Sequence, residues 1–402
     1  MTTSRSKAPT QQLRIVAELV VASVGVACVL ASWQADRGWY ELHITENFCA
    51  TEPRQLHALN VVRCCGLILA AILLFCVRPL VGRWAKQRSG KEAIASIARI
   101  VVATLLAVVV SDLAIRAKRH HSGPGALTPE FLPPVHAEPH LGWISNEQTT
   151  TILRADGRDI SYAINAHGFR ARTQSDLPNP TQPSILFAGE SFAEGLGVFW
   201  KESYPALVGA DLKVQTVESA VHGYGNDQAY LAMQSELQTL SHPLAVVTIL
   251  VPQQLSRDLD VGRNRLVAGP DGALRVDLKS PAPTWWTDSP VRKLAHSILS
   301  YHSDSSIPLV RALIAATVQE AEARGAYPLF VMTNWGAACL PGDDETPALA
   351  QRLFHGQQAH WIEVPLDPSW VERTTYHPNP AAHRVLADAI DRALVEAKVV
   401  GN

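Results

Sequence analysis

Ser184-Ile185-Leu186-Phe187-Ala188-Gly189-Glu190-Ser191-Phe192-Ala193-Glu194-Gly195 is the stretch on which the fold turns. A short apolar run ends on glycine, and a serine stands two residues later, where a helix would begin. A strand without polar alternation has no solvent face, so it belongs in a sheet covered on both sides. The same rhythm continues downstream. Tyr204–Leu212 reads as a helix, Val214–Val221 as a strand, Asp227–Leu240 as a helix and Leu244–Val251 as a near-continuous apolar strand. Ile307–Arg324 is helical, with an apolar face at Leu309, Leu313 and Ile314; Tyr327–Met332 and His360–Val364 are strands, and Pro380–Lys398 is a closing helix. Strands separated by helices predict a three-layer α/β/α sandwich with a mainly parallel sheet over residues 184–402. Residues 263–290 break the rhythm and read as an insertion, with a Gly269-Pro270-Asp271-Gly272 turn and the adjacent Trp285 and Trp286.

In such a sheet, ligands sit beyond the carboxy ends of the strands. Three positions there carry chemistry: Ser191 after the first strand, Gly223 in His222-Gly223-Tyr224-Gly225-Asn226-Asp227-Gln228 after the second, and His377 before the last helix. Each alone has a plain structural reading. A serine at such a junction commonly caps a helix, turn glycines occur in silent loops, and a lone histidine before a helix is usually a surface residue.

Upstream the composition changes. Of 402 residues 47% are hydrophobic, and 35 basic side chains nearly balance 37 acidic ones. That balance leaves no global positive field, so no nucleic-acid partner is expected. Only 18% of residues are charged, against about 25% in typical soluble domains. The deficit is concentrated in uncharged runs at Leu19–Trp33, Cys64–Val77 and Ile100–Ser111. With flanking arginines snorkelling to the interface, these predict three transmembrane helices near 13–33, 60–81 and 95–115, within a membrane region 1–117. Arg5, Lys7 and Arg14, and then Arg83, Lys86, Arg88 and Lys91, place the amino terminus and the second loop in the cytoplasm; the carboxy-terminal part then lies on the external, periplasmic side. Arg116, Lys118 and Arg119 after the third run oppose that orientation. A cleaved signal peptide is the rival reading of the first run. Residues 118–183 read as a Pro/Gly-rich linker and an entrance segment, with a short hairpin in Leu141–Arg170. Cys28, Cys64, Cys65 and Cys76 fall in apolar runs, Cys49 and Cys339 lie far apart, and no zinc-type spacing occurs.

The order of the three pieces resembles the SGNH/GDSL hydrolase family, over about residues 140–402. Gly189–Gly195 is similar to the family's nucleophile block, usually Gly-Asp-Ser; Ser219–Gly225 is similar to its glycine block, and His377-Pro378-Asn379 to its last block. Asn165-Ala166-His167-Gly168-Phe169-Arg170 and the Gly-Tyr-Gly-x-Asp-Gln form at 223–228 resemble a membrane-anchored bacterial subset. The resemblance implies Ser191 as nucleophile, His377 as its base, and the amides of Ser191 and Gly223 as oxyanion donors, with no cofactor or metal. Two positions depart from the pattern. The family's third donor is an Asn, where this chain has Val251-Pro252-Gln253-Gln254; Gln253 offers the same amide on a longer arm. The family's orienting Asp falls on Thr374, which leaves Glu372, Asp367 or a backbone carbonyl to hold the ring.

The expected function is that of a membrane-anchored serine esterase acting on ester-linked acyl groups of an envelope glycan, a lipid or a small ester. An O-acyltransferase using the same serine, or a catalytically degenerate glycan-binding or assembly module, are the alternatives. His377 with His383, and Asp343-Asp344-Glu345, are set aside as metal sites in favour of packing and a solvated loop; Trp285 and Trp286 line a pocket or form local core.

Overall fold

The computed structural model describes residues 8–34, 53–86, 109–110, 132–259, 265–269, 272–277, 306–335, 346–375 and 377–401. The chain divides into two compact units, Met1–Glu46 with Ala50–His121, and Asn47–Cys49 with Ser122–Asn402.

In the first unit, α1 (Ala8–Gln34) packs on α2 (Pro53–Ala71), which continues through a π-helical segment Ile72–Val77 into α3 (Arg78–Lys86). Arg14–Trp33 and Arg63–Trp84 are each long and apolar enough to cross a membrane. Their Leu19, Val20, Leu30, Ile68 and Phe75 side chains are exposed. Small residues bring the helices together, as a Cβ on Gly66 would collide with Ser32 and one on Gly82 with Glu18. The expected third span, 95–115, lies outside the described residues apart from the helical pair Val109 and Val110.

The second unit is built on five parallel strands in the order β12-β11-β8-β6-β7. They are β6 (Ser184–Gly189), β7 (Gln215–Ala220), β8 (Pro243–Leu250), β11 (Tyr327–Asn334) and β12 (His360–Pro365). Alternate residues of each strand serve opposite layers. Ile185, Phe187, Val247, Ile249, Leu329 and Val331 meet α5 (Tyr204–Leu212) and α9 (Pro380–Glu396). Leu186, Ala188, Val246, Phe330 and Met332 face α6 (Asn226–Thr239), α7 (Ile307–Ala323) and α8 (Thr346–Phe354). Full burial of each Val, Leu, Ile, Phe or Met side chain among these contributes roughly 1.5–3 kcal/mol. The α/β/α sandwich expected from the sequence is therefore present, with α8 as an element the rhythm did not announce.

Strand order reverses at β6, since β7 lies on one side of it and β8 on the other. A crevice opens beyond the carboxy end of a strand at such a switch point. Ser191 occupies that position, two residues past the end of β6.

Smaller sheets surround this layer. The expected hairpin in 141–170 is three antiparallel strands, β3 (Thr149–Ala155), β4 (Arg158–Ile164) and β5 (Arg170–Ala171), preceded by the pair β1 (Val135–Glu138) and β2 (Gly142–Ser145). Within residues 263–290, β9 (Arg265–Ala268) and β10 (Leu274–Asp277) form an antiparallel pair, and the Gly272 amide donates to the Gly269 carbonyl at 2.9 Å. Trp285, Trp286, Cys49, Cys339 and Asp343–Glu345 lie outside the described residues.

Candidate active site

The turn at Ser191 is shaped by close packing. A Cβ on Gly189 would meet Ile249 Cγ2 at 2.5 Å and Ala193 Cβ at 3.0 Å, so only glycine lets β6 turn this tightly into the four-residue helix α4 (Ser191–Glu194). Glu190 caps that helix by accepting from the Phe192 amide at 3.0 Å. Ser191, which begins the helix, is buried, with 3% exposure.

The last loop supplies the partner. His377 Nε2 lies 2.7 Å from Ser191 Oγ although 186 positions separate the two residues. His377 Nδ1 faces the Thr375 carbonyl at 2.6 Å. A carbonyl only accepts, so Nδ1 carries the hydrogen and Nε2 is left with a lone pair toward the serine. Burial is the largest influence on the ring and pushes its pKa below the ordinary histidine value; Glu190 and the Thr375 carbonyl pull the other way, and Arg257 adds to the lowering. An imidazole neutral at neutral pH is the result.

The two acids expected near the ring have other tasks. Glu372 accepts from the Thr374 amide at 2.9 Å and from the Thr375 amide and hydroxyl, both at 2.5 Å. Its own amide donates to the His377 carbonyl at 2.7 Å. Glu372 thus clamps the turn whose carbonyl holds the imidazole. Asp367 caps the 3₁₀ turn Pro368–Trp370, accepting from the Ser369 amide at 2.8 Å and hydroxyl at 2.6 Å, and these bonds lower its pKa. Thr374, in the place of the family's Asp, donates no bond to the ring; its hydroxyl accepts from the Asp156 amide at 2.9 Å.

Gly223 follows β7, which pairs with β6 in the register Gly189↔Ala220, so the serine and glycine loops leave the sheet side by side. Its φ of 82° is left-handed, a conformation glycine adopts without strain. The Ser191 amide opens a helix and so lacks an intrahelical acceptor. Gln253 lies in the 3₁₀ helix Pro252–Leu259 after β8, and its side chain is outside the described set. His383 sits apart on α9, fully buried, with Nδ1 accepting from the Tyr204 amide at 3.2 Å. Among the described residues no group of three or more metal-ligating side chains comes together.

Several neighbours of the pair were not singled out as site residues from the sequence. Ser191 Oγ also hydrogen-bonds Glu190 Oε2, and Arg257 Nη1 lies 3.5 Å from that same oxygen. Glu190 had one available signal, as the residue standing where the family usually has Asp. Arg257 had none, because only the 3₁₀ geometry brings it back to the Glu190 carboxylate. Arg170, the last residue of the 165–170 motif, is buried and donates to the carbonyls of Glu194 at 2.8 Å, Gly195 at 2.5 Å and Val198 at 2.6 Å. It also lies 3.7 Å over the Tyr162 ring. The motif therefore fixes the loop that follows Ser191. The Glu194 carboxylate meets His222 Nδ1 at 3.2 Å.

No family model matches the sequence, and no curated protein matches it. Among solved structures, a G-D-S-L-family protein of Desulfitobacterium hafniense aligns at 11% identity over 52% of this chain and 99% of its own, with a TM-score of 0.33. A family two carbohydrate esterase from Clostridium thermocellum, solved with cellohexaose, aligns at 14% identity over 55% of this chain and 66% of its own (TM-score 0.32). An acetyl xylan esterase from Butyrivibrio proteoclasticus aligns at 11% identity over 56% and 66% of the two chains (TM-score 0.31). Likenesses of this size bear on neither site nor activity, which rest on the strand order and the distances above.

Proposed function

We propose that the chain is a serine esterase of the SGNH type, tethered to a membrane by its apolar helices. The observation that carries the reading is the hydrogen bond between Ser191 Oγ and His377 Nε2, with the opposite ring nitrogen committed to a backbone carbonyl. A free serine hydroxyl is a poor nucleophile at neutral pH, and a neutral imidazole in hydrogen-bond reach removes its proton as the O–C bond forms. The negative charge that develops on the substrate carbonyl oxygen meets the amides of Ser191 and Gly223, each such donor lowering the barrier by about 3 kcal/mol. The imidazolium returns its proton to the departing alcohol, and water activated by the same nitrogen then cleaves the acyl-serine. No step needs a cofactor.

The orienting group is a carbonyl rather than a carboxylate, which makes the unit a Ser–His dyad. Two membrane-length helices and the bias of basic residues toward the first loops support an anchor with this unit on the external face, where ester-linked acyl groups of envelope glycans or lipids are the substrate class within reach. The test is time-dependent labelling of the full chain by a fluorophosphonate, together with release of p-nitrophenol from p-nitrophenyl acetate. Wild type should do both and Ser191→Ala neither. Equal labelling of the two proteins ends the proposal.

A further inference from the structure

We propose that Glu190 is a positioning residue for the nucleophile: its carboxylate competes with His377 for the single hydroxyl hydrogen of Ser191, and Arg257 draws that carboxylate aside. The inference rests on the serine-esterase reading above and adds to it a control on whether the hydroxyl points at its base.

A count of hydrogens leads there. The Thr375 carbonyl holds the ring hydrogen on Nδ1, so Nε2 is an acceptor. Ser191 Oγ touches that nitrogen and also Glu190 Oε2. An ionised carboxylate is an acceptor too, so two acceptors face a hydroxyl that owns one hydrogen. One added proton satisfies both contacts in either of two ways. Placed on Glu190, it is donated to Oγ while Oγ donates to Nε2, and the base stays free to act. Placed on Nε2, it is donated to Oγ while Oγ turns to the carboxylate, and the base is spent. Burial disfavours the imidazolium that the second arrangement needs.

When the proton leaves, the carboxylate and the imidazole compete directly, and every molecule whose hydroxyl turns to Glu190 is idle. Arg257 supplies the counterweight. Its Nη1 lies 3.5 Å from Oε2, the oxygen that contacts the serine, while another bond at 3.4 Å ties it to the Tyr224 carbonyl. A guanidinium there rewards rotation of the carboxylate away from Oγ. The charged and titratable groups around Glu190 are Arg257 from the 3₁₀ helix, His377 from the last loop, Glu194 from α4 with its partner His222, and more distantly the buried Tyr204 of α5. Glu190 alone among these acids contacts the nucleophile's oxygen.

The test measures fluorophosphonate labelling rates of the full chain in detergent micelles from acid to alkaline pH, for wild type, Glu190→Gln, Arg257→Met and the double variant. A glutamine keeps the cap on Phe192 and can donate to Oγ at every pH. On the alkaline plateau E190Q should label about tenfold faster than wild type, and R257M about tenfold slower, with less than about a twofold effect of R257M in the E190Q background. Loss of the R257M effect in the E190Q background is the readout that a purely structural role of either residue would not produce. Glu190→Ala and Arg257→Lys, checked by thermal melting, separate these effects from misfolding. An equal cost of R257M in both backgrounds, or slower labelling by E190Q, overturns the inference while leaving the esterase reading intact. Absence of labelling in every variant, with all of them folded, overturns the esterase reading and this inference with it.

Discussion

Replacing Glu372 by glutamine tests how the ring of His377 is held. The carboxylate satisfies three donors, the amides of Thr374 and Thr375 and the Thr375 hydroxyl, and Glu372 is 1% exposed. A glutamine keeps one acceptor oxygen and turns an NH₂ toward a remaining N–H, losing one charge-assisted bond, a cost of about 1.5–3 kcal/mol in the stability of the turn. An alanine orphans both buried amides and costs on the order of 4 kcal/mol. The catalytic effect separates two arrangements. A carboxylate directly on the imidazole would make the glutamine variant about 10⁴-fold slower by favouring the wrong tautomer. Here the Thr375 carbonyl selects the tautomer and cannot be altered by a side-chain substitution, so E372Q should slow acylation by only about tenfold to a hundredfold, through loosening of the turn. The assay is the acylation burst with p-nitrophenyl acetate, paired with the thermal midpoint and the proton resonance of His377 Nδ1–H. A loss near 10⁴ at an unchanged midpoint would refute the reasoning, as would an unchanged rate in a protein whose turn is demonstrably destabilised.

Other consequences are independent of that one. Arg170→Met should destabilise the fold by about 3 kcal/mol or more in urea titrations, because three carbonyls of the post-nucleophile loop lose their charged donor; labelling of Ser191 should fall in proportion to loop disorder. Gly223→Ala should slow acylation about tenfold with little change in KM: the added Cβ only touches Trp143 Cζ2 at 3.4 Å, but the φ of 82° costs an L-residue roughly 1–2 kcal/mol and shifts the amide. His383 is depressed to about 3 by burial, with Arg170 and His377 adding to it. Its neutral form therefore stabilises the fold fully above the ordinary histidine pKa, and that contribution is lost as pH falls from about 6.5 toward about 3. His383→Asn, which retains an acceptor for the Tyr204 amide, should flatten the acid side of a stability–pH curve. Glu218 has the opposite sign. Buried on β7 with neither carboxylate oxygen partnered, it is pushed well above the carboxylate range by desolvation. Its contribution is greatest at acid pH and declines as pH rises through the raised value, a decline that Glu218→Gln should remove.

The scaffold was legible in the chain because its evidence is local. Uninterrupted apolar strands such as Leu244–Val251, spaced by amphipathic helices, can bury both faces only within a parallel sheet, and β8, α5 and α9 fall within about two residues of their expected bounds. The candidate nucleophile and its histidine were legible for a related reason, since Ser191 and His377 stand at carboxy ends of strands or at a helix mouth, where chain direction alone brings residues to one edge. Helix α8 was less visible, lying after the Gly/Pro-rich stretch that ends near Asp344.

What holds and tunes the pair was decided only in three dimensions. Whether Glu372, Asp367 or a carbonyl faces Nδ1 depends on backbone direction over a few residues, which side-chain identity does not encode; the turn closes so that the carbonyl of Thr375 points inward and both acids become clamps. Arg257 reaches Glu190 across 67 positions because the 3₁₀ turn after β8 brings its guanidinium to the residue that follows β6. Sequence periodicity determines which faces are buried, since burial is a property of single elements. The sharing of one hydrogen among Ser191, His377 and Glu190 is a property of distances between elements, and only the packed sheet sets those.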